Sequence, residues 1–155
     1  MIRREDSVIV HVVTRVMVPL IQIFALYVIF HGHYSPGGGF QGGALLAASV
    51  LLQRVVLGHR ASQRGLKSRY GTPLGIAGVV VFTATGLLAT AGGGRFLQHD
   101  KLPFGLEQAT LRSTGILLVE LGVALAVTGT LVALFDDLAG EPEEDDAPEP
   151  EAEAR

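Results

Sequence analysis

The sequence contains no cysteine, which excludes disulfides, thiolate nucleophiles and cysteine-ligated metal. Charge is also scarce, at 17% of 155 residues against 48% apolar, and the scarcity is regional. Of the 12 basic and 15 acidic side chains, eleven fall between Asp136 and Arg155 and four in the first six residues. Five more lie between Arg54 and Arg69 and five between Arg95 and Arg112, so only Arg15 and Glu120 interrupt the apolar runs. Soluble domains do not segregate charge in this way, and the composition argues against a water-soluble enzyme. The chain also lacks the dyad alternation of a barrel strand, an internal repeat, and any basic stretch interleaved with aromatics of the kind single-stranded nucleic acid requires. No nucleic acid partner, cofactor or metal is expected.

What is present is a series of apolar blocks, each long enough to cross a hydrocarbon layer of roughly 30 Å as a helix. They run from about Val8 to Phe30, Phe40 to Leu57, Thr72 to Ala91 and Ser113 to Phe135. Unpaired backbone cannot sit in lipid, so the expected fold is an all-α integral membrane protein of four transmembrane helices with short connectors. Residues 1–138 form that domain, and residues 139–155 a separate acidic tail. The first block is read as a retained helix rather than a signal sequence, because it contains Arg15, is too long for an apolar signal core and lacks a small-residue cleavage site. The tail, with eight acids after Gly140 and few large apolar side chains, cannot bury enough surface to fold and is expected to be disordered.

The net charge of -3 conceals two opposite regions: upstream of Asp136 there are eleven bases against five acids. With a cytoplasmic N-terminus, eight bases face inward (Arg3, Arg4, the five from Arg54 to Arg69, and Arg155) and three face outward (Arg95, Lys101 and Arg112). Both termini are therefore expected in the cytoplasm, with the chain in the cell membrane and lipid as its surroundings.

Glycine is abundant, 20 of 155, and inside the spans its spacing is helical. Gly115, Gly122 and Gly129 recur every seven residues with Ala126 and Ala133 on nearly the same face, a groove against which another helix can pack. Gly43 with Ala47, and Ala44 with Ala48, make similar pairs in the second block. Between the first two blocks, HGHYSPGGGFQGGALLAAS runs from His31 to Ser49. Pro36 ends any preceding helix and Gly37, Gly38 and Gly39 permit positive φ, so a tight helical hairpin is expected. A phosphate cradle is a weak reading, since no strand precedes the glycines and no Lys followed by Ser or Thr comes after them. His31 and His33 have no nearby carboxylate in sequence and read as interfacial hydrogen-bonding residues before metal ligands.

The string Gly32, His33, Pro36, Gly37, Gly38, Gly39, Phe40, Gly42 and Gly43 resembles the signature of the MnhB family, found in Mrp-type multisubunit cation/proton antiporters. The resemblance continues through Leu102-Pro103 and ATLRSTGILLVELGVALAVTGT from Ala109, with Glu120 before Leu-Gly-Val, and covers nearly the whole chain except the tail. Gln41, where the family often has an apolar residue, and the strongly basic second connector are departures. The resemblance implies a small integral subunit of a hetero-oligomeric complex that exchanges Na+ for H+, with the proton-translocating chains elsewhere in the complex. The residues agree with that division, because coupled transport needs several buried titratable groups and a broken helix or inverted repeat, and neither is found here.

Arg15 and Glu120 each lie about seven residues into a span, roughly 10 Å deep. Arg15 reads first as snorkelling along its own helix, although His11, Arg15 and Gln22 share a face that would suit an interior polar stripe. Glu120 is too short to snorkel that far and is read as a buried ion-path or assembly residue, ahead of a hydrogen-bonded structural acid. The candidates for such a role are Glu120, Arg15, Gln22 and His33. Two competing readings remain open: the equivalent subunit of a membrane-bound hydrogenase or related respiratory complex with an antiporter module, and an independent homo-oligomeric channel or scaffold.

Overall fold

The computed structural model describes residues 8–32, 37–57, 68–105 and 107–139. Four helices are long and apolar enough to cross a membrane: α1 (Val8–Phe30), α2 (Gly39–Leu57), α3 (Gly71–Ala91) and α4 (Gln108–Ala139). Single 3₁₀ turns at Ser68–Tyr70 and His99–Lys101 precede α3 and α4, and no strand occurs among the described residues. The acidic tail from Gly140 and most of the basic second connector lie outside the described residues.

The fourth helix has 32 residues, about 48 Å at 1.5 Å per residue, and so overhangs the Ser113 to Phe135 apolar block at both ends. Lipid decides where the apolar side chains stop. The helix itself continues until a breaker intervenes: Pro103 and Gly105 stand before it and Gly140 after it. The opposite case is Pro19, inside α1. Its missing N–H leaves the Arg15 carbonyl without its usual donor, a gap that membrane helices tolerate when other groups supply the bond.

The helices pack as a row in the order α1, α2, α4, α3. Among the described residues α1 lies on α2, α2 on α4 and α4 on α3, while α1 only brushes α4 and α2 does not reach α3. The centre of the row is α4, which shows a different face to each neighbour.

Toward α3 the face repeats alternately at four and three residues, a left-handed coiled-coil rhythm. Gly122, Ala126, Gly129 and Ala133 meet Gly71, Gly75 and Gly78 so closely that a Cβ added to Gly78 would stand 2.5 Å from the Gly122 carbonyl oxygen. One on Gly129 would stand 2.6 Å from that of Gly71. Backbone here packs on backbone, and the dispersion gained is what holds helices together in a solvent as apolar as themselves.

Toward α2 the face repeats strictly every fourth residue: Glu120, Ala124, Thr128, Val132 and Asp136. Gly39, Gly43 and Ala47 answer with the same period, the small-xxx-small spacing that suits a right-handed crossing. A Cβ on Gly43 would lie 2.7 Å from the Ala124 carbonyl oxygen. The Thr128 hydroxyl donates between its own-helix Ala124 carbonyl (2.7 Å) and the Gly43 carbonyl of α2 (3.0 Å).

The α3–α4 connector folds back on its own hairpin. The Phe96 ring fills the space left by Gly86 and meets Phe82 edge-on at 6.4 Å. Leu102 joins Ala89 and Leu111 in a small buried cluster. The His99 ring occupies the groove at Gly115, where a Cβ would be 2.6 Å from Nδ1. Of the three heptad-spaced glycines, then, Gly122 and Gly129 receive α3 and Gly115 receives the connector.

Candidate functional site

The first two helices are antiparallel, and their contact is set by Gly42, whose missing side chain admits Ile29 (1% exposed) against the α2 backbone. α1 then ends: the His31 N–H donates to the Tyr27 carbonyl at 3.0 Å, and the His31 ring stacks on Tyr27 at 4.2 Å with Nδ1 donating to the same carbonyl at 3.2 Å. The chain closes on itself immediately beyond. A Cβ on Gly32 would stand 2.5 Å from the Cα of Gly38, so the two ends of the interhelical segment form a neck.

Glu120 of α4 stands under this neck. Its Oε1 lies 2.5 Å from the Cβ position of Gly32 and 3.6 Å from that of Gly38, and a Cβ on Gly39 would strike the Glu120 carbonyl. The glycines of the motif thus do three different things. Only Gly38 uses the left-handed region, with φ 134°. Gly32 and Gly39 make room for Glu120, while Gly42 and Gly43 let α2 settle on α1 and α4. Gly37 faces Val28, with a Cβ position 3.1 Å from Cγ1, and Phe40 points outward, exposed. His33 and Pro36 lie outside the described residues.

This arrangement bears on the phosphate-cradle reading. α2 begins directly after the glycines, where its first N–H groups lack intrahelical partners. The Glu120 carboxyl group already stands at that end, beside Gly32 and Gly38.

At the other end of the same α2–α4 seam, Arg54 and Asp136 form a salt bridge with side chains 2% and 4% exposed. Sequence reasoning missed it, counting Arg54 with the inward-facing bases and Asp136 with the charges clustered toward the C-terminus. The signal was available: Asp136 continues the four-residue stripe from Glu120, and Arg54 lies fifteen residues after Gly39, close to the sixteen that separate Glu120 from Asp136.

Among the described candidates, Arg15 and Gln22 do not join Glu120. Arg15 is exposed, with His11 and Gln22 half-buried on the same side of α1. Counting equally from the contact of Gly42 with Ala25 and Ile29 along the two antiparallel helices puts Arg15 at the level of Arg54, far from the neck. Beyond the seam, Arg69 donates to the Tyr70 hydroxyl at 2.8 Å, and that hydrogen bond raises the guanidinium pKa further. No group of three or more His, Asp or Glu side chains capable of holding a metal occurs among the described residues.

A known protein family, described as a domain related to the MnhB subunit of the Na+/H+ antiporter, matches residues 9–133. A protein of Staphylococcus haemolyticus (strain JCSC1435) whose name describes an antiporter subunit, mnhB2, is 30% identical over 139 residues, covering 88% of this chain and 97% of its own. The like-named proteins of Staphylococcus aureus strains MRSA252 and Newman are 30% and 28% identical over 138 residues, with the same coverage. The match reaches all four helices and contains both the pinched neck and Glu120. The chain belongs to the family of the MnhB subunit of Na+/H+ antiporters.

Proposed function

We propose that this chain is a small integral accessory subunit of a multisubunit Na+/H+ antiporter, needed for assembly of the complex and for antiport, and not itself an enzyme. The observation that carries the reading is the neck of the α1–α2 hairpin, matched by the family, closing on a single carboxylate in the α4 stripe. With the buried Asp136 tied to Arg54 in an ion pair, one such carboxylate at the neck falls short of the several titratable groups and interrupted helices that coupled transport uses. Proton and cation translocation therefore belongs to partner subunits. This chain supplies a wall beside their path and contributes Glu120 to it or to its assembly.

Topology follows from charge. Arg54 is neutralised by Asp136, so seven of the eight inward bases act on orientation, against three outward, and both termini face the cytoplasm. Arg15, exposed at the level of the Arg54–Asp136 pair, reaches the same headgroup layer with its guanidinium.

The test is antiport in membrane vesicles from cells lacking the chromosomal copy, complemented with variants. Glu120→Gln keeps size and an amide but removes the ionisable group. It is expected to abolish antiport nearly as completely as Glu120→Ala while the complex still assembles. Full antiport by an assembled Glu120→Gln complex would remove Glu120 from the site, and a self-sufficient homo-oligomer purified in mild detergent would overturn the subunit reading.

A further inference from the structure

We infer that the flank of α1 around Arg15 is a binding site for the phosphate of an anionic membrane lipid. This goes beyond a part in antiport and builds on the placement of Arg15 near the headgroup layer.

Arg15 is a full charge on an edge helix of the row. It is exposed, and among the described residues no carboxylate stands against its guanidinium. Upstream in the chain the nearest acids, Asp6 and Glu5, are nine and ten positions away. The Arg15 Cα follows Val8 by seven residues, about 10 Å along the axis and inside the hydrocarbon layer. A charge at that depth has to reach an anion or the surface. Helix geometry sets the direction: Cα–Cβ bonds tilt toward the N-terminus, so a long side chain covers the turn before its own Cα. Arg15 accordingly closes a cleft of about 330 Å³ whose other described walls are Val8, His11 and Val12, one and two turns nearer the start of α1. All four residues belong to α1, and no other described helix contributes to the cleft.

Depth and sign identify the occupant. The cleft runs from Arg15 toward Val8, which is toward the membrane surface, and it ends where lipid phosphates lie. A phosphodiester entering from that side meets the guanidinium at the deep end, and the planar N–H fork matches two phosphate oxygens. Val8 and Val12 lie beside its glycerol carbons, and His11 lines the same space. A lipid of net negative charge is preferred over a zwitterionic one, because the ammonium of a choline or ethanolamine headgroup brings a second cation to Arg15.

The test is photocrosslinking in the assembled complex. Val12→benzoylphenylalanine places the probe in the cleft. Ile76→benzoylphenylalanine is the reference, exposed on α3 at the other edge of the row and a similar number of residues in from the same side of the bilayer. Each complex is reconstituted in vesicles of equal parts phosphatidylglycerol and phosphatidylcholine and irradiated, and the adducts on this chain are identified by mass. At Val12 the phosphatidylglycerol adduct should exceed the phosphatidylcholine adduct about fivefold, the worth of one arginine against an anionic lipid surface, and at Ile76 the two should be equal. Adding Arg15→Gln should bring the Val12 ratio down to the Ile76 ratio, while Arg15→Lys, which keeps the charge without the fork, should hold part of it. An adduct with a partner subunit in place of lipid would give Arg15 to a protein interface, and a phosphatidylglycerol preference that survives Arg15→Gln would put its source elsewhere. Either result overturns the inference. If the Val12 variant does not assemble, Val8→benzoylphenylalanine, at the outer wall of the cleft, decides by the same ratio.

Discussion

Replacing Asp136 by Ala leaves the Arg54 guanidinium closed inside the α2–α4 seam with no carboxylate opposite it. Both side chains are almost fully enclosed, 2% and 4% exposed, so solvent screens the pair little. Removing one partner of such a pair costs about 3–5 kcal/mol, most of it the penalty of an uncompensated buried charge. At about 1.4 kcal/mol per factor of ten, that is a loss of two to four powers of ten in the equilibrium that holds α2 on α4. Assembly should suffer accordingly, because the pair lies at the end of the stripe that the neck closes at the other. The assay is the amount and thermal midpoint of the intact complex by fluorescence-detected size exclusion, in native, Asp136→Ala, Arg54→Met and the double Arg54→Met/Asp136→Leu forms. Each single change should lower the midpoint strongly. The double change replaces both ions with apolar groups of similar bulk and should recover most of the loss, since well-packed apolar replacements of buried pairs are often neutral or better. Near-native midpoints for the single variants, or a double variant no better than either single, would refute the reasoning: the first would mean that the pair is hydrated, the second that the seam needs the ions for another reason.

Gly38→Val adds a β-branched side chain at a φ of 134° and should reduce the assembled complex without altering ion preference, as read by membrane content and by antiport with different cations. Gly129→Val would drive its side chain into the Gly71 and Gly75 backbone and should separate α3 from α4, costing about 1–3 kcal/mol and lowering the thermal midpoint, whereas Ala109→Val, at an exposed position at the α4 start, should leave it unchanged. A reporter fused after Arg155 should be cytoplasmic and one inserted at Gly93, where nothing lies within 4 Å of the Cβ position, should be extracytoplasmic; opposite labelling would invert the topology.

The four helices were legible because lipid imposes a length and an apolar requirement on every span, and the observed Val8–Phe30 matches the first apolar block. The reach of α4 was not, since hydropathy marks the bilayer and helix breakers mark the helix, and the two differ at Gln108 and at Ala139. Gly122 and Gly129 could be picked out by their seven-residue repeat, but the same repeat included Gly115, which takes His99 from a connector whose fold has no periodic signal. Glu120 stood out as an acid in an apolar run. That it sits beneath Gly32 and Gly38 depends on bringing together residues more than eighty positions apart, which one sequence does not encode in any local pattern. The Arg54–Asp136 pair was hidden for a different reason: each residue lies at the edge of a charged segment and takes on that segment's apparent role.

A row one helix thick has little interior. Between 22% and 33% of each span's most apolar window is buried within the chain, and α1 alone exposes Ile23 and Phe24 along with most of its valines. A free copy in the bilayer would therefore hold its two hairpins together through little more than the α2–α4 seam. Local opening would be frequent, and each opening would offer its helices to membrane proteases. Its lifetime would then be set by the supply of neighbours that cover those exposed faces.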